Sequence, residues 1–187
     1  MAAKVMAAAR LFAERGIEGT TMSDIAGATG IPRATLYYYF EGKGAVFAGI
    51  CGLVLDGFEA AIAAALAGPG PAAERLGRVI RAQLDYCAAN PAAFLAIDLD
   101  PGRSARRAEL SERTVRAYLR PVARLLEEGA ADGTIRPLGD PRAIAAALLG
   151  AVVTAVEHAL LSTGERSVQG LHEPILSLIL HGLDARP

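Results

Sequence analysis

The stretch Ile31-Pro32-Arg33-Ala34-Thr35-Leu36-Tyr37-Tyr38-Tyr39-Phe40 decides how the rest of the chain is read. Taken as a helix that opens at Pro32, it sets Leu36 and Phe40 on one face and Arg33 with Tyr37 on another, because residues four apart are neighbours on a helix surface. Ala34 and Tyr38 form a second exposed row. Three consecutive tyrosines cannot share one core, since successive helical residues point about 100° apart. At least one of them, and on this geometry two, should be exposed. One side of such a helix can be buried while the other meets something planar or negatively charged, and duplex DNA offers both properties.

The flanking residues fix its context. Upstream, Gly30-Ile31 makes a tight turn, and Pro32 suits a first helical position. Thr21 stands three residues before Asp24, a near match to the capping box with Asp in place of the usual Glu. A helix from Met22 to about Thr29 follows that cap, burying Ile25 and Ala26. Further back, Val5, Met6, Ala9, Leu11 or Phe12, and Ala13 recur at helical spacing until Gly16 stops them, giving a helix from about Ala3 to Arg15. Two short helices joined by a Gly-containing turn make a helix-turn-helix, whose second helix enters the major groove.

Downstream, Lys43 begins a long helix with Val46, Phe47, Ile50, Val54, Phe58, Ile62 and Leu66 at three- and four-residue steps, ended by Gly68-Pro69-Gly70-Pro71. Gly42 and Gly44 flank Lys43 and weaken that start by about 1 kcal/mol per internal glycine. Residues 72–89 form the next helix, closed by Asn90-Pro91. A shorter one at 92–99 ends at Asp100-Pro101-Gly102. An amphipathic pattern at 104–131 carries Leu110, Val115, Tyr118, Leu119, Val122, Leu125 and Leu126, and Pro121 should kink it. Residues 142–162 are nearly apolar all round and should be buried on most sides. A loop at 164–170 leads into a final helix at 172–183 with Pro174 in its first turn. No β-alternating segment appears, so the expected fold is all-α: a three-helix N-terminal head plus a C-terminal helical bundle, about nine helices together.

Composition constrains the function classes. Of 187 residues, 52% are hydrophobic and 21% charged, which describes a folded globular chain and not a disordered one. The net charge of −1 argues against a protein that coats nucleic acid non-specifically, so any DNA-binding case rests on pattern. Lys4, Arg10, Glu14 and Arg15 interrupt the N-terminus, so no signal-peptide core is expected. The uncharged run Ala143 to Val156 is shorter than the roughly 20 residues a bilayer requires, and no membrane partner is expected. Cys51 and Cys87 are isolated thiols, which suit a reducing cytoplasm.

The segment from Ala8 to Phe47 contains Ala-Ala-Arg-Leu-Phe-Ala-Glu-Arg-Gly, then Gly-Thr-Thr-Met-Ser-Asp-Ile-Ala, then Thr-Gly-Ile-Pro-Arg-Ala-Thr-Leu-Tyr-Tyr-Tyr-Phe-Glu-Gly-Lys. In that order and register it resembles the DNA-binding head of the tetracycline-repressor (TetR) family of bacterial regulators. The resemblance is strong over residues 5–47 and one of layout beyond. It implies a DNA-binding domain at 1–46 and an effector-binding and dimerisation domain at 47–187. It further implies a homodimer paired through residues 142–162 and 172–184, and release from a near-palindromic operator when a small molecule moves the long helix. Position by position, Arg33, Ala34, Thr35, Tyr37 and Tyr38 match groove-facing positions, while Thr21 and Lys43 match phosphate-contacting ones. Tyr39 departs from a frequent His.

The residue types agree independently: Arg pairs with guanine O6 and N7, Thr serves a base edge or a thymine methyl, and Tyr hydroxyls reach phosphates. The apolar C-terminal helices favour a mainly hydrophobic effector, with Tyr86, Phe94, Tyr118, Glu157 and His158 as candidate lining residues. Gly150 and Thr154 would let helices approach closely, and with Ile175, Leu178, Ile179 and Gly182 they suggest a two-fold seam.

Other clusters carry less. His158, His172 and His181 make no i, i+4 pair and adjoin no Cys, so no metal site, cofactor or nucleophile-base pair is expected. Asp98 and Asp100 read better as solvated helix-end residues than as paired catalytic carboxylates. Arg103, Arg106 and Arg107 alternate with Glu109 and Glu112 as a charged face would. A redox pair of Cys51 and Cys87 competes with two buried small hydrophobes. No catalytic constellation is left, and an enzyme is not expected. The alternative to a regulator is a helical small-molecule-binding or interaction protein without sequence-specific DNA binding.

Overall fold

The computed structural model describes residues 2–98, 112–162 and 168–183, and among these the chain forms nine helices and no strand. Helix α1 comprises Ala2–Val5, a 3-10 turn at Met6–Ala8, and Ala9–Arg15. Helices α2 (Met22–Thr29), α3 (Arg33–Tyr39) and the long α4 (Lys43–Ala67) follow. Then come α5 (Ala72–Ala89) and α6 (Pro91–Asp98). Helix α7 consists of a π-helical turn at Val115–Leu119 that continues as Arg120–Asp132. Helix α8 is Pro141–Leu161, and after a 3-10 turn at Val168–Leu171 the chain forms α9 (His172–Leu183). The sequence features at Asp100-Pro101-Gly102, Ser104 to Leu110 (with the arginine cluster from Arg103), and Gly164 lie outside the described residues.

The described chain divides into two compact units: residues 2–57 with 90–98, and residues 58–89 with 112–162 and 168–183. The division falls within α4, after Gly57.

In the first unit the core is Val5, Ala8, Phe12, Met22, Ile25, Ile31, Leu36, Val46, Phe47, Ile50 and Val54. Phe12 meets Phe47 edge-on at 5.2 Å between ring centroids, a favoured aromatic geometry. Helix α6 packs on residues 9–15 of α1. Turn chemistry sets the helix-turn-helix. Gly30, at φ +64, terminates α2 in the left-handed conformation that glycine takes without a Cβ penalty. The buried Thr29 hydroxyl donates to the Ile25 carbonyl at 2.7 Å and accepts from the Ile31 N–H at 3.3 Å.

Two details of this unit differ from the sequence expectation. Pro32 is the residue before the first helical turn, extended at ψ 139°, and its carbonyl accepts from Leu36 N. Likewise Gly42 lies outside α4, and its carbonyl accepts the Val46 N–H at 3.1 Å. Glycine is tolerated at such a cap, so only Gly44 weakens the first turn.

In the second unit, α5 buries Leu76, Val79, Ile80, Gln83, Leu84 and Cys87. Helix α7 buries Val122, Ala123, Leu125 and Leu126, and α9 buries Ile175, Leu176 and Ile179. Arg75 donates to the Leu66 carbonyl at 3.2 Å and pairs with Glu128 at 2.6 Å. Asp132 accepts from Ala72 N and from Thr134, tying α7 to the start of α5.

Just before Pro121, where the sequence suggests a kink, the helix carries a π turn: Arg120 N–H reaches back five residues to the Val115 carbonyl. Proline has no N–H for the Ala117 carbonyl, so one rung of the regular ladder is missing there.

Helix α8 is less buried than its composition suggests. Ala145, Leu148, Val152, Val156 and Ala159 are covered, whereas Ala143, Ala147, Gly150, Thr154, His158 and Leu161 are exposed. Both α4 and α8 are long and apolar enough to cross a membrane by length and composition. The shortness of the uncharged run was therefore not a sufficient reason to expect no membrane. Their buried rows, Val46 to Val54 in α4 and Ala145 to Ala159 in α8, instead belong to the packed cores of the two units.

Candidate nucleic-acid interface and effector site

Helix α3 is only seven residues long and buries a single side chain completely, Leu36. With so narrow an inner face, all three tyrosines point outward: Tyr37 is 47% exposed, Tyr38 82% and Tyr39 58%. The sequence geometry required one or two. The Arg33 guanidinium lies 5.5 Å from the Tyr37 ring centroid, a cation–π arrangement, with long contacts to the Tyr37 hydroxyl and to Ser23 Oγ at 3.5 and 3.4 Å. Tyr38 and Tyr39 are edge-to-face at 5.0 Å. Ala34 is exposed and Thr35 half-buried. The outer side of α3 therefore presents a cation, planar rings and hydroxyls together, the groups that reach phosphates and base edges. Ser23 and Tyr39 join the candidate surface. Ser23 carries no sequence signal of its own, whereas exposure of Tyr39 follows from the tyrosine run.

Thr21 does cap α2. Its hydroxyl accepts the Asp24 N–H at 3.2 Å and donates to the Asp24 carboxylate, which also accepts the Thr21 N–H at 2.9 Å. The Thr21 hydroxyl and amide together hold the Asp24 carboxyl below its usual pKa. Lys43, placed on a phosphate by resemblance, is engaged within the unit: its Nζ donates to the Glu18 carbonyl at 3.1 Å and pairs with the Glu18 carboxylate at 3.0 Å.

The second unit gathers part of the effector list. Phe58 stacks on Tyr118 at 6.2 Å with an interplanar angle of 20°, and meets Tyr86 edge-on at 5.9 Å. Tyr118 is wholly buried, and burial pushes its phenol well above the usual pKa. Beside this cluster, Arg113 Nε donates to Glu59 at 2.8 Å in a largely buried ion pair. Phe58 and Glu59 stand outside the sequence candidates, since nothing in the periodicity of α4 separates the turn that meets Tyr86, Tyr118 and Arg113 from its other turns.

The other candidates are placed as follows. Phe94 belongs to α6 in the first unit. His158 is exposed on α8, because the covered side of that helix runs through Val152, Val156 and Ala159. Glu157 is half-buried beside it. Cys51 and Cys87 are both buried, in different units, and burial raises the Cys87 thiol to about 12, which keeps it protonated. Among the described residues no group of three or more His, Cys, Asp or Glu could hold a metal ion.

Comparison with known proteins agrees with this layout. Residues 5–50 match the family model "Bacterial regulatory proteins, tetR family", and residues 69–183 match "Tetracyclin repressor-like, C-terminal domain". The negative transcriptional regulator IcaR of the biofilm operon icaADBC of Staphylococcus aureus is 46% identical over 37 residues, a match covering only 20% of either chain. A solved TetR/AcrR-family transcriptional regulator from Thermobifida fusca is 30% identical, with 97% of each chain covered and a TM-score of 0.74. AibR, solved in complex with isovaleryl coenzyme A and operator DNA, is 24% identical with a TM-score of 0.75, covering 94% of this chain and 95% of its own. With a C-terminal model spanning more than half of its residues and a head model in register with α1 to α4, the chain belongs to the TetR family of bacterial regulatory proteins.

Proposed function

We propose that this protein is a dimeric, ligand-responsive repressor of transcription that binds operator DNA through α3 and is released by a small, mainly hydrophobic effector. The observation that carries the reading is the two-sided α3: Leu36 is fully buried while Arg33, Ala34, Tyr37 and Tyr38 are exposed on a helix set by a Gly30 turn. Residues 1–46 are assigned to DNA binding, with Thr21, Arg33, Ala34, Thr35, Tyr37, Tyr38 and Lys43 as its contacts, and residues 47–187 to effector binding and dimerisation. The AibR complex supports the pairing of an acyl effector with operator DNA on one fold. The exposed stripe of α8 and the exposed Leu178 of α9 support a two-fold seam of small and apolar residues. Family membership favours a soluble cytoplasmic regulator over an enzyme.

The test is selection of duplexes from a random pool by the purified protein, followed by affinity measurements across a salt series. A regulator yields a near-palindromic site whose affinity falls steeply with salt. Binding that is indifferent to sequence would favour a helical ligand-binding or interaction protein, and a sedimenting monomer would remove the two-fold model.

A further inference from the structure

Arg33 stands apart from Arg10, Arg15 and Lys43 in what it touches. Arg10 faces Glu14 at 2.7 Å, Arg15 faces Asp24 at 3.6 Å and Lys43 faces Glu18 at 3.0 Å. Among the described residues no carboxylate pairs with Arg33. Its guanidinium lies 5.5 Å from the Tyr37 ring centroid, with Nη1 3.4 Å from Ser23 Oγ and Nη2 3.5 Å from the Tyr37 hydroxyl. Both partners are neutral, so the side chain is given a place without having its charge cancelled.

The placement follows from the chain. Arg33 and Tyr37 are four apart on α3, and a helical side chain leans toward the N-terminus, which lays the Tyr37 ring over the turn that starts at Arg33. Tyr37 follows Leu36, which is fully buried and pins that turn to the core. Ser23 lies ten residues before Arg33, on α2, and the Gly30 turn brings the two together. It stands between the buried Met22 and Asp24, within the turn closed by the Thr21–Asp24 capping box. Two fixed points, one on each helix of the helix-turn-helix, therefore bracket one arginine.

The contacts differ in weight. A cation within about 6 Å of an aromatic centroid is attracted to the ring face, whereas an N–H···O bond ordinarily spans about 2.7–3.2 Å. At 3.4 and 3.5 Å the two hydroxyls guide the guanidinium more than they hold it. A guanine edge at ordinary distance displaces them, while the ring stays beneath the planar cation. Arginine also carries more N–H donors than the bidentate pair with guanine O6 and N7 uses, so neither hydroxyl blocks that pair. Without such a platform, a long side chain must first be immobilised when DNA binds, and affinity falls by the entropy of its rotamers.

We propose that Ser23 and Tyr37 are positioning residues for Arg33, which they pre-orient to read one guanine of the operator, so that discrimination at that base pair depends on both helices of the motif. The inference rests on the operator-binding reading above and assigns the source of its base specificity.

The test uses the full-length protein, its selected operator and the single-base variants of that site, with affinities read by fluorescence anisotropy. The readout is discrimination at the guanine that Arg33→Ala identifies, taken as a ratio of affinities in which any phosphate contact of Ser23 or Tyr37 cancels. Tyr37→Leu should reduce that ratio about two- to fivefold, the loss of an exposed cation–π contact. Ser23→Ala should reduce it about twofold, and Tyr37→Phe, which keeps the ring, should stay within about twofold of wild type. In an Arg33→Ala background all three changes should leave the remaining ratio unaltered. Arg33→Lys keeps the charge and the salt slope but has no planar fork, so its ratio should fall toward that of Arg33→Ala. In the free protein, NMR resonances of the Arg33 side chain should carry a ring-current shift that persists in Tyr37→Phe and disappears in Tyr37→Leu. With operator binding intact, four results would each overturn this inference alone: a ratio unchanged by Tyr37→Leu, a loss that persists without Arg33, full discrimination by Arg33→Lys, or Arg33 resonances indifferent to Tyr37→Leu. Selection of no duplex by wild type would defeat the repressor reading and this inference with it.

Discussion

Consider Lys43, which must exchange one partner for another if it is to hold a phosphate. In the structure its Nζ is shared between the Glu18 carbonyl at 3.1 Å and the Glu18 carboxylate at 3.0 Å. Glu18 itself is highly exposed, so the ion pair stands mostly in water. Such pairs contribute about 0.2–1 kcal/mol. Glu18→Gln removes that competitor and should tighten operator binding by roughly 1.4-fold to fivefold, the same free energy expressed as a ratio. Lys43→Ala deletes one phosphate contact, so the slope of log affinity against log salt should flatten by about 0.9. The double variant decides the matter. Once Lys43 is gone, Glu18→Gln has nothing to release, and its gain should vanish. Fluorescence anisotropy on one labelled operator across a salt series supplies all four corners of the cycle. An equal gain from Glu18→Gln with and without Lys43 would show that the carboxylate acts by general repulsion of DNA, and an unchanged salt slope in Lys43→Ala would show that Lys43 touches no phosphate.

Three further outcomes are expected. Arg33→Ala should cost about 1–3 kcal/mol at one operator position and relax preference there, seen by measuring affinity for every single-base variant of the site; a uniform loss over all variants would reassign Arg33 to the backbone. The Asp24 carboxyl is held down by Thr21, so its share of stability is present above the unfolded carboxylate range and is lost as pH falls through its lowered folded value. Thr21→Ala should accordingly lower stability by about 0.5–2 kcal/mol at neutral pH, and the gap between variant and wild type in urea unfolding should narrow in acid; a gap that widens there is the contrary result. Gly129→Ala would place a Cβ 2.5 Å from the Ile135 side chain. Overpacking of this kind costs about 1–3 kcal/mol, so Tm should fall by several degrees, and an unchanged Tm would mean that Ile135 moves aside freely.

What was legible in the chain was local chemistry. The Thr21 cap, the Gly30 turn, the limits of residues 72–89 and of the final helix all follow from side chains that act on backbone within a few residues. The α3 surface was legible for a related reason, since three adjacent tyrosines exclude a common core whatever surrounds them. Helix α8 is apolar nearly all round. Its composition does not say which stripe a neighbouring helix covers, and His158 lies on the uncovered one. Phe94 was grouped with Tyr86 by hydrophobicity alone, whereas the short α6 belongs with the head. Glu18 with Lys43, and Glu59 with Arg113, are separated by 25 and 54 residues. Pairings of that span come from the path of the chain, which periodicity does not encode.

The π turn at Val115–Leu119 makes the phase of a helix decide which side chains meet. A turn closed by five residues in place of four accommodates one residue more than a regular turn. In this wider winding Arg113 and Tyr118, five apart, both reach the same short step of α4: Arg113 touches Glu59, and Tyr118 touches Phe58. Deleting one residue from the turn would restore an even winding and rotate everything before it by about 100° relative to everything after it. Arg113 and Tyr118 would then no longer address a common spot, although every side chain in the cluster would still be present. A relative aligned with a one-residue gap at this point could thus share the composition of this site and lack its geometry, and length at 115–119 is the character by which to sort them.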